Sequence, residues 1–255
     1  MSHPAVDNFR GPQRRPPTIW AMVKRGWVVA VLALLGVLAT GCTSDEPTGG
    51  GGNLPDGAAL LRDASAATKQ IKSAHFTLKV NGTVSAIPVQ NAEGDLTREG
   101  GPSGAAKGTV KLTLLGQLIE GEFVLVDDSL YIKGPTGGFQ KYPASLSSNI
   151  YDPSAILDPD KGIANVLGKV QNPRTDSKES LDGTSTYKVS GKATKDVVSA
   201  VVPGVNSDVD ITVWVREDNK QPVKASVKLP SGEGQTATVD LTLSDVDKPV
   251  TITAP

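Results

Sequence analysis

The chain is 255 residues long, with 26 Lys and Arg against 27 Asp and Glu, one Cys, two His and 11 aromatic residues. One Cys excludes an internal disulfide and a Cys-based zinc site, and two His, one of them at position 3, leave little for a His-metal cluster or a His-based relay. A net charge of −1 without a basic run argues against a nucleic-acid surface.

Lys24 and Arg25 precede the uncharged apolar run 27–40. A membrane span needs about 20 apolar residues, so this run has the length of a secretory h-region instead. Its end, Leu38-Ala39-Thr40-Gly41-Cys42, resembles a bacterial lipobox. The usual pattern has Leu three residues before the Cys; here Ala39 holds that place and Leu38 lies one further back. The resemblance implies that the chain is cut before Cys42 and that the Cys42 thiol carries acyl chains. Residues 1–41 are therefore expected to be a lipoprotein signal peptide, of ordinary length if translation starts at Met22. They hold five of the basic residues and one of the acidic ones, which leaves the exported part net −5.

Residues 42–55 include four consecutive glycines and no apolar periodicity, and read as a lipid-anchored flexible tether. A helix is expected from Asp56, which can cap it, with Leu60, Ala64, Ala67 and Ile71 at helical spacing.

After Ser73 the period becomes two. Phe76, Leu78 and Val80 share one face of a strand; so do Val110, Leu112 and Leu114; so do Ile119, Phe123 and Leu125. Asp127-Asp128 reads as a hairpin turn into Leu130-Tyr131-Ile132. The stretches 209–215, 223–229 and 237–243 alternate in the same way. Between these groups, Asp152-Pro153 and Asp158-Pro159 read as helix starts. Ile156, Leu157, Ile163, Val166, Leu167 and Val170 supply the apolar positions, and a third short helix is expected over 194–202. Strands with one wet and one dry face make an antiparallel sheet solvated on one side. The predicted fold is α+β: a curved half-barrel of about ten strands with helices in its concave face, in one domain over 56–255.

No catalytic constellation emerges. His75 lies on the polar parity of its strand. Glu120 and Glu122 share a strand face, about 6.5–7 Å apart from the strand rise; a glycosidase pair is one reading and a solvated outer face is the expected one. Trp214 reads as an interaction anchor or as a ring lying over the sheet edge. No metal or cofactor is expected, and the chain is not expected to be an enzyme. The dry side holds Phe76, Leu78, Val80, Leu112, Leu114, Phe123 and Leu125 by strand parity, with Ile163, Val166 and Leu167 from the helices. Bulky aromatics are scarce there. Either small side chains pack closely, or a cavity for an apolar ligand opens between sheet and helices.

Several stretches resemble the LppX/LprA/LprF/LprG family of actinobacterial lipoproteins, its LprG branch above all. They are Leu54-Pro55-Asp56, the run Ser73-Ala74-His75-Phe76-Thr77-Leu78-Lys79-Val80-Asn81-Gly82, the strand Gly108 to Leu114, Asn149-Ile150-Tyr151-Asp152-Pro153 through Asn165-Val166-Leu167, and Thr212-Val213-Trp214-Val215. The loop Gly134 to Gly138 and the stretch Arg216 to Lys220 are not obviously shared. The resemblance implies a Lol-carrier-like sheet whose hydrophobic cavity holds acyl chains of triacylated glycolipids (phosphatidylinositol mannosides, lipomannan, lipoarabinomannan) or triacylglycerol. It also implies lipid movement from the cytoplasmic membrane toward the outer envelope, anchorage on the outer face of that membrane, and a major-facilitator export pump as partner. It places Val110 at the cavity mouth. The rival readings are a surface lipoprotein acting as scaffold or transporter accessory, and a hydrolase using Glu120 and Glu122.

Overall fold

Eleven antiparallel strands form one open sheet in a computed structural model that describes residues 54–255, apart from 85–86, 102–103, 115, 146–152 and 232–234. The expected leader, Cys42 and all of the tether but Leu54 and Pro55 lie outside the described residues, as does the expected cap Asp152.

In chain order the strands are β1 Ser73–Asn81, β2 Val89–Thr97, β3 Ala105–Leu114, β4 Gln117–Val126, β5 Ser129–Lys133, β6 Gln140–Pro143, β7 Gln171–Leu181, β8 Thr184–Ala193, β9 Val209–Arg216, β10 Pro222–Ser231 and β11 Gln235–Ser244. Their spatial order is β6-β5-β4-β3-β2-β1-β11-β10-β9-β8-β7. Two meanders thus meet at the centre, where β1 pairs with β11. The first runs outward to the β6 edge and the second returns from the β7 edge. The connection from Pro143 to Gln171 must cross the sheet, and a crossing segment covers a face. It carries a 3-10 helix, Pro153–Leu157, and the helix α2, Ile163–Gly168.

The helix α1, Gly57–Thr68, starts where Asp56 Oδ1 accepts from the Ala59 N–H at 2.8 Å. It buries Leu60, Leu61 and Ala64 against β7, β8 and β9. Small residues let it approach α2: Ser65 Oγ donates to Ala164 O at 2.7 Å, and a Cβ on Gly168 would stand 3.4 Å from Ser65 Oγ. The turn into β5 is as expected, with Asp127 and Asp128 both in the left-handed region (φ 49° and 57°) that a two-residue hairpin requires.

Two helix expectations are corrected. Asp158-Pro159 starts a turn, because Asp158 Oδ1 accepts from the N–H groups of Asp160 and Lys161 at 2.8 and 2.9 Å. The helix begins later, after Gly162, where a Cβ would meet Ile156 O at 2.3 Å. The third helix is α-helical only over Lys195–Val198 (α3). Four valines lower its propensity and Pro203-Gly204 stop it, yet Val197, Val198, Val201 and Val202 are all buried.

Candidate functional site

Reading straight across the sheet defines rows of side chains on the face that the helices cover. The first row is Ala74, Leu96, Ala106, Leu125 and Leu130, from β1 to β5. The second is Leu243, Phe76, Gly94, Gly108, Phe123 and Ile132. The third is Leu241, Leu78, Ala92, Val110 and Gly121. Beyond it, Leu112 stands beside Val89 and Ile119.

Exposure rises along this series on β3 and β4, while on β2 the residues stay buried down to Val89, at 2%. Every member of the first row is buried. In the second and third rows Phe76, Leu78, Ala92 and Phe123 are buried, while Ile132 and Val110 are half-buried. At the far end Val80, Leu112 and Ile119 are half-buried. The 3-10 helix rests on β2 and β3, and its Ile156 and Leu157 close the buried part. The face thus has a closed, helix-covered end and an apolar end that water reaches.

Of the residues read from the sequence, Phe76, Leu78, Phe123, Leu125, Ile163, Val166 and Leu167 join one buried cluster, with Val80 and Val110 packed at its margin. Leu112 is half-buried in β3. Leu114 ends β3 opposite Gln117, and its side chain lies outside the described residues. Leu96, Ala92 and the pair Gly94–Gly108 were not legible as part of this face. They depend on β2, whose sequence lacks the strict apolar alternation of its neighbours. Their signal is small residues at every second position, Ala92-x-Gly94-x-Leu96, paired with Ala106-x-Gly108-x-Val110.

Glycine and alanine lower the floor where β2, β3 and β4 meet. In the second row Gly94 and Gly108 lie between Phe76 and Phe123, whose Cα atoms stand three strand spacings apart, roughly 14 Å. No charge or hydrogen-bonding side chain sits in these rows from β1 to β4. This lining can hold an apolar chain by exclusion of water and offers nothing to a reacting bond.

Polar chemistry lies elsewhere. Glu120 and Glu122 are exposed on the opposite face, paired with Lys111 at 3.2 Å and Lys133 at 2.8 Å. Salt-bridged strand carboxylates on an open face do not make a glycosidase cleft. His75 Nδ1 lies 3.0 Å from Asp95 Oδ1 on that face. Trp214 is also there: its indole N–H donates to Glu179 Oε1, and the Nζ atoms of Lys188 and Lys224 stand 5.6 and 5.2 Å from its ring centre. At the β7–β9 edge the Glu217 carboxylate accepts from Lys178, Ser185 and Tyr187, which holds its pKa down to about 2. A hollow of about 630 Å³ at the ends of β8 to β11 has a charged lining that includes Lys192, Asp210 and Lys228. Among the described residues no three His, Cys, Asp or Glu gather to hold a metal, and no helix is long and apolar enough to cross a membrane.

Comparison with known proteins adds to this geometry. The model of the LppX_LprAFG lipoprotein family matches residues 56–252. The lipoarabinomannan carrier protein LprG of Mycolicibacterium smegmatis is 38% identical over 230 residues, which cover 89% of this chain and 94% of that one. The putative diacylated glycolipid transporter LprF of Mycobacterium bovis is 30% identical over 255 residues, 95% of this chain and 94% of its own. The crystal structure of LprF from Mycobacterium bovis superposes with a TM-score of 0.69 at 30% identity, covering 78% of this chain and 96% of that one. That of LppX from Mycobacterium tuberculosis gives 0.58 at 25% identity, covering 77% and 97%.

Proposed function

The chain belongs to the LppX_LprAFG lipoprotein family, and from that premise we propose that its apolar face carries lipid acyl chains across the aqueous space outside the cytoplasmic membrane. The observation that carries this reading is the rise in exposure from the Leu96 row to Val110, Leu112 and Ile119 on one uninterrupted apolar face. A carrier needs an apolar end that water reaches, because the chain must enter somewhere.

The mechanism is shielding. Each CH₂ taken out of water is worth about 0.8 kcal/mol, so a sixteen-carbon chain faces a barrier above about 10 kcal/mol to crossing water alone. The face lowers that barrier without forming or breaking a bond. Cys42 is the acylated anchor in this reading, and the glycine-rich tether lets the open end turn toward the membrane. The cargo is a glycolipid of the phosphatidylinositol mannoside, lipomannan or lipoarabinomannan type, or triacylglycerol. It moves from the cytoplasmic membrane toward the outer envelope, with a major-facilitator pump as partner. Val110 stands at the mouth and the buried residues Phe76, Leu78, Phe123 and Leu125 line the deep end.

Native mass spectrometry of purified residues 54–255, followed by organic extraction, tests the reading. A carrier arrives with acyl lipid that solvent removes. A protein that arrives empty, and stays empty after incubation with phosphatidylinositol mannosides or triacylglycerol, is a scaffold instead.

A further inference from the structure

Among the described residues two large hydrophobics are exposed: Leu118, at 63%, and Leu54, at 41%. Leu118 stands at the tip of the β3–β4 hairpin, one residue before the half-buried Ile119 and opposite Thr113. Leu54 stands where the tether joins the domain. We propose that the β3–β4 hairpin tip docks on a lipid bilayer, with Leu118 inserted among the acyl chains, so that the open end of the apolar face meets the membrane. This rests on the carrier reading above and adds the surface by which the carrier meets its lipid source.

Three observations select a bilayer as the occupant. The first is the register. Thr175 Oγ1 donates to Pro55 O at 2.6 Å, which ties the end of the tether to β7. Thr175 is level with Gly121 across the sheet, through Val189, Val213, Ala225, Leu241, Leu78, Ala92 and Val110. Leu118 lies three residues beyond Gly121, past the mouth residue Val110. The second is reach. Eleven residues separate Cys42 from Leu54, a coil with a mean span of roughly 20 Å. Strands of ten residues are roughly 33 Å long, so the mean span keeps an anchored domain within one strand length of the surface. The third is adjacency. Leu118 faces the outer side of the sheet, opposite Thr113 and on the parity of Glu120, while the next residue, Ile119, lies on the apolar face beside Leu112; the charges on the outer side, Lys111 and Glu120, neutralise each other at 3.2 Å. A hairpin tip with an apolar residue on each face can enter a bilayer next to the half-buried end of the apolar face.

The experiment uses residues 54–255, since Gly50–Pro255 is a compact unit that contains the whole core. This part has no cysteine. Leu118→Cys and Ser180→Cys, the latter exposed near the opposite strand ends, each take an environment-sensitive fluorophore. Vesicles of phosphatidylcholine and phosphatidylglycerol are added, with and without acyl-chain quenchers. The label at position 118 is expected to shift to the blue and be quenched, and that at 180 to do neither. Separately, unlabelled Leu118→Glu is expected to bind the vesicles roughly tenfold more weakly, the factor set by one buried leucine. It is expected to bind a monomeric fluorescent fatty acid as wild type does. Equal vesicle binding by wild type and Leu118→Glu, or equal quenching at 118 and 180, overturns the proposal. If neither protein binds the fatty acid, the carrier reading falls, and the vesicle arm still decides the docking surface.

Discussion

Gly94 on β2 and Gly108 on β3 face one another with no room for a Cβ on either. A Cβ on Gly94 would lie 2.0 Å from Lys107 O, and one on Gly108 would lie 2.0 Å from Glu93 O. No side chain is involved on either side, so the clash cannot be relieved by a rotamer. The two strands approach closely at the point where the floor of the apolar face is lowest, between Phe76 and Phe123.

Gly108→Ala is therefore expected to destabilise the domain by about 2–4 kcal/mol, since backbone must move. Gly134→Ala, in a loop where an added Cβ meets nothing within 4 Å, is expected to stay within about 0.5 kcal/mol of wild type. Urea unfolding of both variants measures the difference. Equal midpoints would remove the close approach from the account.

The exposure gradient predicts unequal costs for the same truncation. Leu96→Ala, in the buried first row, should lose about 2–5 kcal/mol. Leu112→Ala, half-buried at the open end, should lose less than about 1.5 kcal/mol in protein stripped of lipid. Acyl lipid should raise the midpoint of wild type more than that of Leu112→Ala. Urea titrations with and without a monomeric fatty acid read both effects.

Glu217 supplies a pH signature. Hydrogen bonds from Lys178, Ser185 and Tyr187 hold its carboxyl at about 2, below the ordinary value of 4.5. A group lowered on folding stabilises the fold above its unfolded pKa, and that stability is lost as pH falls from about 4.5 toward about 2. Tyr187→Phe removes one donor and should raise the Glu217 midpoint, read by carboxyl-carbon NMR. An unchanged midpoint would show that the phenol contributes nothing.

The helix α1 offers a smaller test. Asp56→Ala removes the acceptor for the Ala59 N–H and should cost about 1 kcal/mol. Asp56→Asn keeps an acceptor and should cost less, by thermal unfolding.

Much of the sheet is legible in the sequence, for a physical reason. β1, β3, β4, β5, β9, β10 and β11 each hide one face and wet the other, so residues such as Val209, Ile211, Val213 and Val215 alternate strictly. β2, β6, β7 and β8 escaped. In β2 the buried positions are Val89, Ala92, Gly94, Leu96 and Thr97, and a bulge between Val89 and Asn91 breaks their period. β6 is four residues long, and β7, an edge strand, has no fully buried residue. The turn Asp182-Gly183, with both φ positive, was a readable hairpin signal for β7 and β8. For the candidate site, parity gave the dry residues of β1, β3 and β4. It could not give the exposure gradient, which depends on where the crossing segment lies. Nor could it give Leu118, which shares the parity of Glu120 and is exposed because it sits at a hairpin tip.

Lipid content of wild type and Val110→Trp tests the central claim most directly. Val110 is half-buried between Ala92 and Gly121, so an indole there fills the open end at a cost within about 1 kcal/mol. Both forms of residues 54–255 are incubated with donor vesicles, separated from them, and extracted. Stoichiometric lipid on wild type, a several-fold loss on Val110→Trp and nearly equal unfolding midpoints are expected. Equal lipid on the two folded proteins, or none on wild type, would contradict that claim.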